Sequence, residues 1–138
     1  MTCSRTKGAA GERAVAKELF AELGMNFRRD LRQYQQSDLG DLICEDPAFP
    51  FVIEVKHHAK GWTCKPAWEA QAIKAAETAG KLPCVIYRHD GQQWRCRVWF
   101  DAMAEAFGTS IVCNQSADIS IPAFAWVARE IMAGRRMK

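Results

Sequence analysis

Two short apolar runs, residues 42–44 and 51–55, flank a proline-containing segment near the middle of the chain. This pattern predicts a β-hairpin with a moderately long loop. If the two strands pair antiparallel about the centre of that loop, Asp41 lies opposite Glu54, because the numbers of paired residues sum to a constant. Side chains alternate between the two faces of a strand, so this register also predicts which residues share a face.

The predicted register divides the hairpin into an apolar face and a mixed face. We expect the apolar face to pack into the core and the mixed face to bring three ionisable groups together. The apolar face consists of Leu42, Cys44, Phe51, Ile53 and Val55, and the mixed face of Asp41, Ile43, Val52, Glu54 and Lys56.

Asp41 and Glu54 are candidate metal ligands. Directly opposed residues have Cβ atoms about 4.5–5.5 Å apart, so the two carboxylates repel each other unless a cation lies between them. Their oxygens suit Mg²⁺ or Mn²⁺, and Lys56 points the same way, where it can hold or activate a water. The alternative is a strand-entry aspartate followed by a solvated polar face. We favour the metal site because the apolar run around Glu54 is typical of a central strand, where unpaired charge is costly.

Two other ligand sets fit the sequence less well. Asp38 has the opposite parity to Asp41, so in a regular strand it would face away from the ionisable patch, and we assign it a supporting position. A zinc site would need His57, His58 and Cys64, but adjacent histidines point to opposite faces of a strand. No second cysteine pair completes a zinc ligand set.

Apolar residues recur at helical spacing in four segments. Pro66 suits the first turn of the second segment, Gly24 and Gly80 suit the positions after the first and second, and Asp101 is the expected N-cap of the third. These helices are predicted over residues 8–23, 66–79, 102–107 and 122–133. The last should face inward with Phe124, Val127, Ala128 and Ile131.

Further apolar segments predict strands around the hairpin. An arginine-bearing strand leads into it, a buried strand follows the second helix, and a strictly alternating strand follows an Asp-Gly turn. Together with a final short strand, these are predicted over residues 25–34, 82–88, 93–100 and 110–114. The element order, α-β-β-β-α-β followed by further strands, predicts an α/β fold with a mixed central sheet flanked by helices.

Glu12 begins the apolar stripe of the first predicted helix. Val15, Ala16 and Leu19 follow it at i+3, i+4 and i+7, so its carboxylate faces the core and needs a partner. A glutamate in a first turn is also favoured by the helix dipole, by about 0.3–1 kcal/mol. The two explanations are compatible.

The composition indicates one globular domain over residues 1–138, with a core at about 8–100 and a helical extension at 101–138. A net charge of +3 does not by itself indicate a nucleic-acid binder, but lysines and arginines cluster locally. They form either a DNA-binding face or a mixed solvated surface. Trp62 either stacks on a base or sugar, or caps the core. The candidate DNA contacts are Lys7, Arg28, Arg29, Arg32, Lys60 and Lys65.

No apolar run approaches the roughly 20 residues of a membrane span, and the N-terminus lacks the apolar core of a secretion signal. We therefore expect a cytoplasmic protein. Six cysteines occur without a C-x-x-C pair and are expected to be buried, reduced thiols. The chain contains no phosphate-binding glycine loop and no nucleophile elbow.

These motifs together resemble those of the PD-(D/E)xK nuclease superfamily, and most of all the archaeal-type Holliday junction resolvases and their phage relatives. The likeness covers about residues 5 to 90, and the stretch after Gly91 has no clear counterpart in the small resolvases. Gly40 replaces the proline usually found before the first aspartate. The matching pieces are Lys7-Gly8-x3-Glu12, the arginine-bearing strand at residues 27–32, Gly40-Asp41-Leu42-Ile43 and Ile53-Glu54-Val55-Lys56.

The resemblance implies a restriction-endonuclease-like fold and metal-dependent hydrolysis of DNA. Asp41, Glu54 and the Val55 carbonyl would hold Mg²⁺ or Mn²⁺. Lys56 would position or help deprotonate the attacking water. Glu12 would bind the metal directly or through water, and Gln71 would lie near the scissile phosphate.

The resemblance also implies a substrate and an assembly. The substrate would be a four-way DNA junction cut by a homodimer, in the host cytoplasm if a phage encodes the chain. Aromatic candidates for the dimer interface are Trp94, Trp99, Phe100 and Trp126, although core packing explains them equally well. The alternatives are a nuclease of the same fold acting on ends, flaps or mismatches, and a non-catalytic DNA-binding protein. The intact set of Asp41, Glu54 and Lys56 argues against the last.

Overall fold

The computed structural model describes the backbone of residues 4–31 and 40–137 and the side chains from residue 8 onward. Lys7, Arg32 and Asp38, singled out above, lie outside the described side chains. The elements in chain order are α1 (Ser4–Leu23), β1 (Phe27–Arg29), β2 (Leu42–Cys44), β3 (Phe51–His58), α2 (Pro66–Ala79), β4 (Leu82–His89), β5 (Arg95–Trp99), α3 (Phe100–Ala106), β6 (Ser116–Ile119) and α4 (Ile121–Arg136).

The six strands form one sheet in the order β1-β2-β3-β4-β5-β6. Strands β3 and β4 run parallel and are joined through α2, whereas every other neighbouring pair is antiparallel. Parallel strands need such a crossover, and the mixed α/β sheet confirms the predicted fold class. The long strand β3 lies in the interior of the sheet, as its continuous apolar run predicts.

The main core lies between the sheet and helices α1 and α4. Phe51 and Phe124 pack edge to face with ring centroids 4.8 Å apart, and each large side chain buried there contributes about 1.5–3 kcal/mol. All four residues predicted to face inward from α4 are buried. The apolar face of the hairpin belongs to this core, as expected, whereas Val52 on the other face packs against Ala75 and Ala76 of α2.

Several predicted boundaries are wrong. Helix α1 begins at Ser4, and the arginine-bearing strand is only three residues long. Helix α3 begins at Phe100 with Trp99 as its N-cap, because strand β5 runs directly into it, so Asp101 lies inside the first turn. The strand predicted over residues 110–114 does not form. The sixth strand is Ser116–Ile119, which pairs with β5.

None of the described helices is long and apolar enough to cross a membrane. The five cysteines of the described part of the chain are free thiols. Three of them are buried and two are half-buried.

Candidate active site

Asp41 and Glu54 occupy opposed positions at the end of strand β2. Leu42 pairs with Ile53, which is the predicted register, and the Asp41 amide donates a hydrogen bond of 2.8 Å to the Ile53 carbonyl. The two acidic residues are 7% and 0% exposed. The hairpin therefore brings two carboxylates together inside the protein.

Gly40 allows this close approach of the chain to β3. A Cβ atom at position 40 would lie 2.6 Å from Val52 Cγ1 and 3.3 Å from the Ile53 carbonyl oxygen. No side chain fits there unless Val52 moves. This close contact explains why glycine suits position 40, where the motif usually has proline.

The carboxylate of Asp41 is held by the backbone of β3. Its Oδ2 accepts a hydrogen bond of 2.7 Å from the Val55 amide. In an antiparallel sheet, the N–H and the C=O of one residue both point toward the same neighbouring strand. The Val55 amide points toward Asp41, so the Val55 carbonyl points toward the β2 side of the sheet as well. One carbonyl and two carboxylates thus converge on the region beyond the end of β2.

Glu54 is the least compensated charged group at this site. Among the described residues, neither of its carboxylate oxygens has a hydrogen-bond partner when both carboxyl groups are ionised. A retained proton allows a hydrogen bond between Glu54 and Asp41. Burial and then the charge of Asp41 raise the pKa of Glu54 to about 9. Burial also raises the pKa of Asp41 to about 6, even though the Val55 amide opposes the shift. At neutral pH the pair therefore retains a proton, and a divalent cation could take its place.

The donor set of this site fits a hard cation. It is built from oxygen atoms, which Mg²⁺ and Mn²⁺ prefer, and it is buried, so that two negative charges oppose the single positive charge of Lys56 when both carboxyl groups are ionised. The orphaned oxygens of Glu54 are those that a bound cation would satisfy.

Lys56 lies two residues beyond Glu54 and on the same face of β3. Its Nζ donates a hydrogen bond of 2.9 Å to Gln71 Oε1. Gln71 belongs to α2, which packs on this face, so the structure brings these two predicted site residues together. The positive charge of Lys56 lowers the pKa of both carboxyl groups, though less than burial raises it.

Glu12 faces the interior as predicted and is 5% exposed. Arg29 Nε donates a hydrogen bond of 3.2 Å to Glu12 Oε1. The charge of Glu12 contributes to the raised pKa values of Asp41 and Glu54. However, within residues 4–31 and 40–137 no three histidine, cysteine or acidic side chains form a metal-binding group. Glu12 therefore lies near the carboxylate pair without completing a set of three direct ligands.

The arginines of β1 divide between the two faces of the sheet. Phe27 and Arg29 face α1, whereas Arg28 is paired with Ile43 and shares the face of Asp41 and Glu54. Arg28, Lys60 and Lys65 are exposed, as DNA contacts must be, but Arg29 is half-buried against Glu12. This ion pair was not predicted, although alternation along the strand places Arg29 on its buried side.

The two histidines at the end of β3 have separate partners. His57 pairs with Asp90 at 2.8 Å, and the ring of His58 packs against Trp68 with centroids 4.9 Å apart. Their side chains point to opposite faces, as expected from their adjacent positions.

A polar network that was not predicted from the sequence anchors α2. Arg97 of β5 donates to Asp118 of β6 at 2.8 and 3.2 Å and to Glu69 of α2 at 3.2 Å. Tyr87 donates a hydrogen bond of 2.7 Å to the same aspartate. Glu69 precedes Gln71 by two residues, so the strands after Gly91 help to hold the helix that supports Lys56. Strict alternation over residues 93–100 was the signal that Arg95 and Arg97 share a face.

The chain is similar to known proteins both in structure and in sequence family. Among solved structures, the chain is similar to Archaeoglobus fulgidus Hjc, a Holliday junction resolvase from an archaeal hyperthermophile. The sequence identity is 20% and the TM-score 0.49, over 62% of this chain and 70% of that one. A search of curated proteins finds no match. A family model described as "Phage putative PDDEXK endonuclease" matches residues 3–123, which confirms the resemblance drawn from the motifs. The chain belongs to this family of phage PD-(D/E)xK endonucleases.

Proposed function

We propose that this protein is a DNA endonuclease that depends on a divalent metal ion and hydrolyses phosphodiester bonds. The observation that carries the proposal is the buried Asp41–Glu54 pair, whose charges a divalent cation would neutralise. Asp41, Glu54 and the Val55 carbonyl would hold Mg²⁺ or Mn²⁺, with Glu12 reaching it through water. When bound, the metal would offset the negative charge that develops on the scissile phosphate.

Lys56 is the residue that would orient the attacking water. A lysine ammonium has three N–H donors, and the bond to Gln71 occupies one of them. Lys56 makes no other hydrogen bond within the described part of the chain, so its other two N–H groups would bind a water and a phosphate oxygen. Gln71 thereby fixes the direction of the Lys56 side chain, and in-line attack requires that direction.

Replacing Lys56 with methionine should reduce the rate of DNA cleavage by about 10²–10⁴-fold, the range for removal of a positioned proton-transfer group. Gln71→Ala should reduce it by less, because the ammonium remains but is no longer held. Single-turnover cleavage measures both effects. Gln71→Ala should not change metal affinity in calorimetry, since Gln71 is uncharged and supplies no oxygen to the proposed metal site. Lys74→Met, an exposed change on the same helix, is the matched control. Wild-type cleavage by Lys56→Met would contradict the assigned role.

Metal-dependent cleavage tests the proposed function itself. The full chain should cut labelled DNA in Mg²⁺ or Mn²⁺ and should not cut in EDTA, and calorimetry should detect Mn²⁺ binding without DNA. DNA binding without cleavage in every metal would instead support the non-catalytic alternative. Absence of both DNA binding and cleavage would refute the proposal.

We further propose, from the sequence resemblance, that the substrate is a four-way junction and that a homodimer cuts it. A panel of four-way junction, linear duplex, flap and single strand, with cut sites mapped, separates the possibilities. Paired symmetric nicks in the junction would support this proposal, and a preference for flaps or ends would support the alternative nuclease. Phe100 and Trp126 remain partly exposed candidates for the dimer interface, whereas Trp99 is buried.

A further inference from the structure

The loop at residues 59–65, between β3 and α2, presents Trp62 to solvent. This side chain is 76% exposed, which is unusual because tryptophan normally buries much of its large apolar surface. The sequence left two explanations open, stacking on a nucleic acid or capping the core. The exposure of the ring excludes the second.

The backbone of Gly61 and Trp62 is fixed by hydrogen bonds, although the Trp62 ring is exposed. The Arg95 guanidinium donates a hydrogen bond to the Trp62 carbonyl, and Gln92 Nε2 donates one of 3.2 Å to the Gly61 carbonyl. Gly61 has a φ of +133°, and a Cβ atom there would lie 2.6 Å from His89 Nε2. The loop is therefore pressed against the β4–β5 turn, which fixes where the indole is displayed. Such preorganisation lowers the entropic cost of binding a ligand.

The surroundings of the ring favour an anionic partner. Lys60 and Lys65 flank it in the chain and are both exposed, and Lys65 Nζ lies 5.3 Å from the centre of the Trp68 ring. An exposed aromatic ring in a loop that also carries exposed cations suits a nucleobase and its neighbouring phosphates.

The loop also lies at the end of the strand that carries the proposed catalytic residues. His58, which contacts Trp68, ends β3 two residues beyond Lys56, or about 7 Å along a strand. The loop begins at the next residue. A nucleic acid bound at Lys56 would therefore pass close to Trp62.

We propose that Trp62 stacks on an unpaired nucleobase beside the phosphate that is cleaved. This inference rests on the proposed DNA endonuclease function. In an intact duplex both faces of each base are covered by neighbouring bases, so an external ring can stack only where a base is unstacked, as at a branch point, flap or frayed end. Trp62 would thus direct the enzyme to DNA with unpaired bases, and Lys60 and Lys65 would bind the adjoining phosphates.

Binding measurements on two DNAs test this proposal. The full chain and its variants are titrated, with EDTA present, against a paired duplex and against the same duplex with an unpaired flap carrying 2-aminopurine. Trp62→Ala should weaken flap binding by about 5- to 150-fold, the range for loss of one stacked base, and should abolish the fluorescence change of 2-aminopurine. Trp62→Phe should retain most of the flap affinity and most of the fluorescence change. Duplex affinity should stay within about twofold, and the salt dependence should not change because no charge is removed.

Phe107→Ala is the matched control, because this second aromatic is 69% exposed and lies at the end of α3. Phe107→Ala should not change the affinity for the flap or for the duplex. Equal losses on flap and duplex, or no loss on either, would overturn the role of Trp62, and cleavage by the wild-type chain in Mg²⁺ would then still uphold the proposed function. A change in oligomeric state without a change in DNA binding would overturn it in favour of a protein contact. If the wild-type chain neither bound nor cut DNA, both proposals would fail.

Discussion

Changing Glu54 to glutamine is expected to abolish DNA cleavage, by about 10³-fold or more, while the fold remains intact. The amide keeps the volume of the side chain but cannot supply the negative charge that would hold a divalent cation. Asp41→Asn should have a similar effect, because an amide oxygen can still accept the Val55 amide hydrogen while the charge is lost. Single-turnover cleavage in Mg²⁺, together with Mn²⁺ calorimetry, measures the loss of activity and of metal binding.

Glu130→Gln provides the control, since this residue is exposed on α4 and its charge should not matter. Thermal unfolding of each variant shows whether the fold survives. Wild-type cleavage by either site variant would refute the metal site, whereas unfolding of both variants would show that the pair is needed for structure rather than chemistry.

The metal-free protein is expected to lose stability as the pH rises from about 4.5 to about 9. The folded state holds the proton of Glu54 up to a pKa of about 9, whereas the unfolded chain releases it near the ordinary value of 4.5. Between these values the folded state binds more protons, so the free energy of unfolding falls with increasing pH. Asp41, with its pKa raised to about 6, acts in the same direction at the lower end of the range. The total loss should be on the order of a few kcal/mol.

Urea unfolding in EDTA at a series of pH values measures this loss. Glu54→Gln should remove most of the dependence of the free energy of unfolding on pH, because the amide does not titrate. Mn²⁺ should stabilise the wild-type protein more at pH 8 than at pH 5, since metal and proton compete for the same oxygens. A wild-type stability that is constant or rises with pH, or an equal slope in Glu54→Gln, would contradict the electrostatic account of the site.

Both predictions depend on burial, which the sequence indicated only indirectly. Alternation along the hairpin was enough to predict that Asp41 opposes Glu54, because strand geometry relates side-chain direction to residue number. Alternation could not predict that Glu54 is completely buried, nor that its ionised carboxylate has no hydrogen-bond donor among the described residues. That outcome depends on α2, β4 and the strands beyond Gly91, which are distant in sequence.

Elsewhere in the chain, too, features set by neighbouring residues were predicted and features set by distant residues were not. The limits of α2 were predicted correctly because Pro66 and Gly80 act locally, and the inward face of α4 followed from its period. The strand at Ser116–Ile119 was missed because it is stabilised by Arg97 on a neighbouring strand rather than by an apolar run of its own. The pairing of Arg29 with Glu12 likewise joins a strand and a helix whose approach no local pattern specifies.

The order of most helices and strands, the register of the hairpin and the position of the acidic pair followed from the sequence, since these depend on periodicity and on residues near one another in the chain. The desolvation of that pair, the cation beside it and the exposure of Trp62 in a hydrogen-bonded loop emerged from the packing of distant segments. Burial and electrostatics depend on the whole packed molecule, because each nearby atom excludes water or adds charge regardless of its place in the sequence.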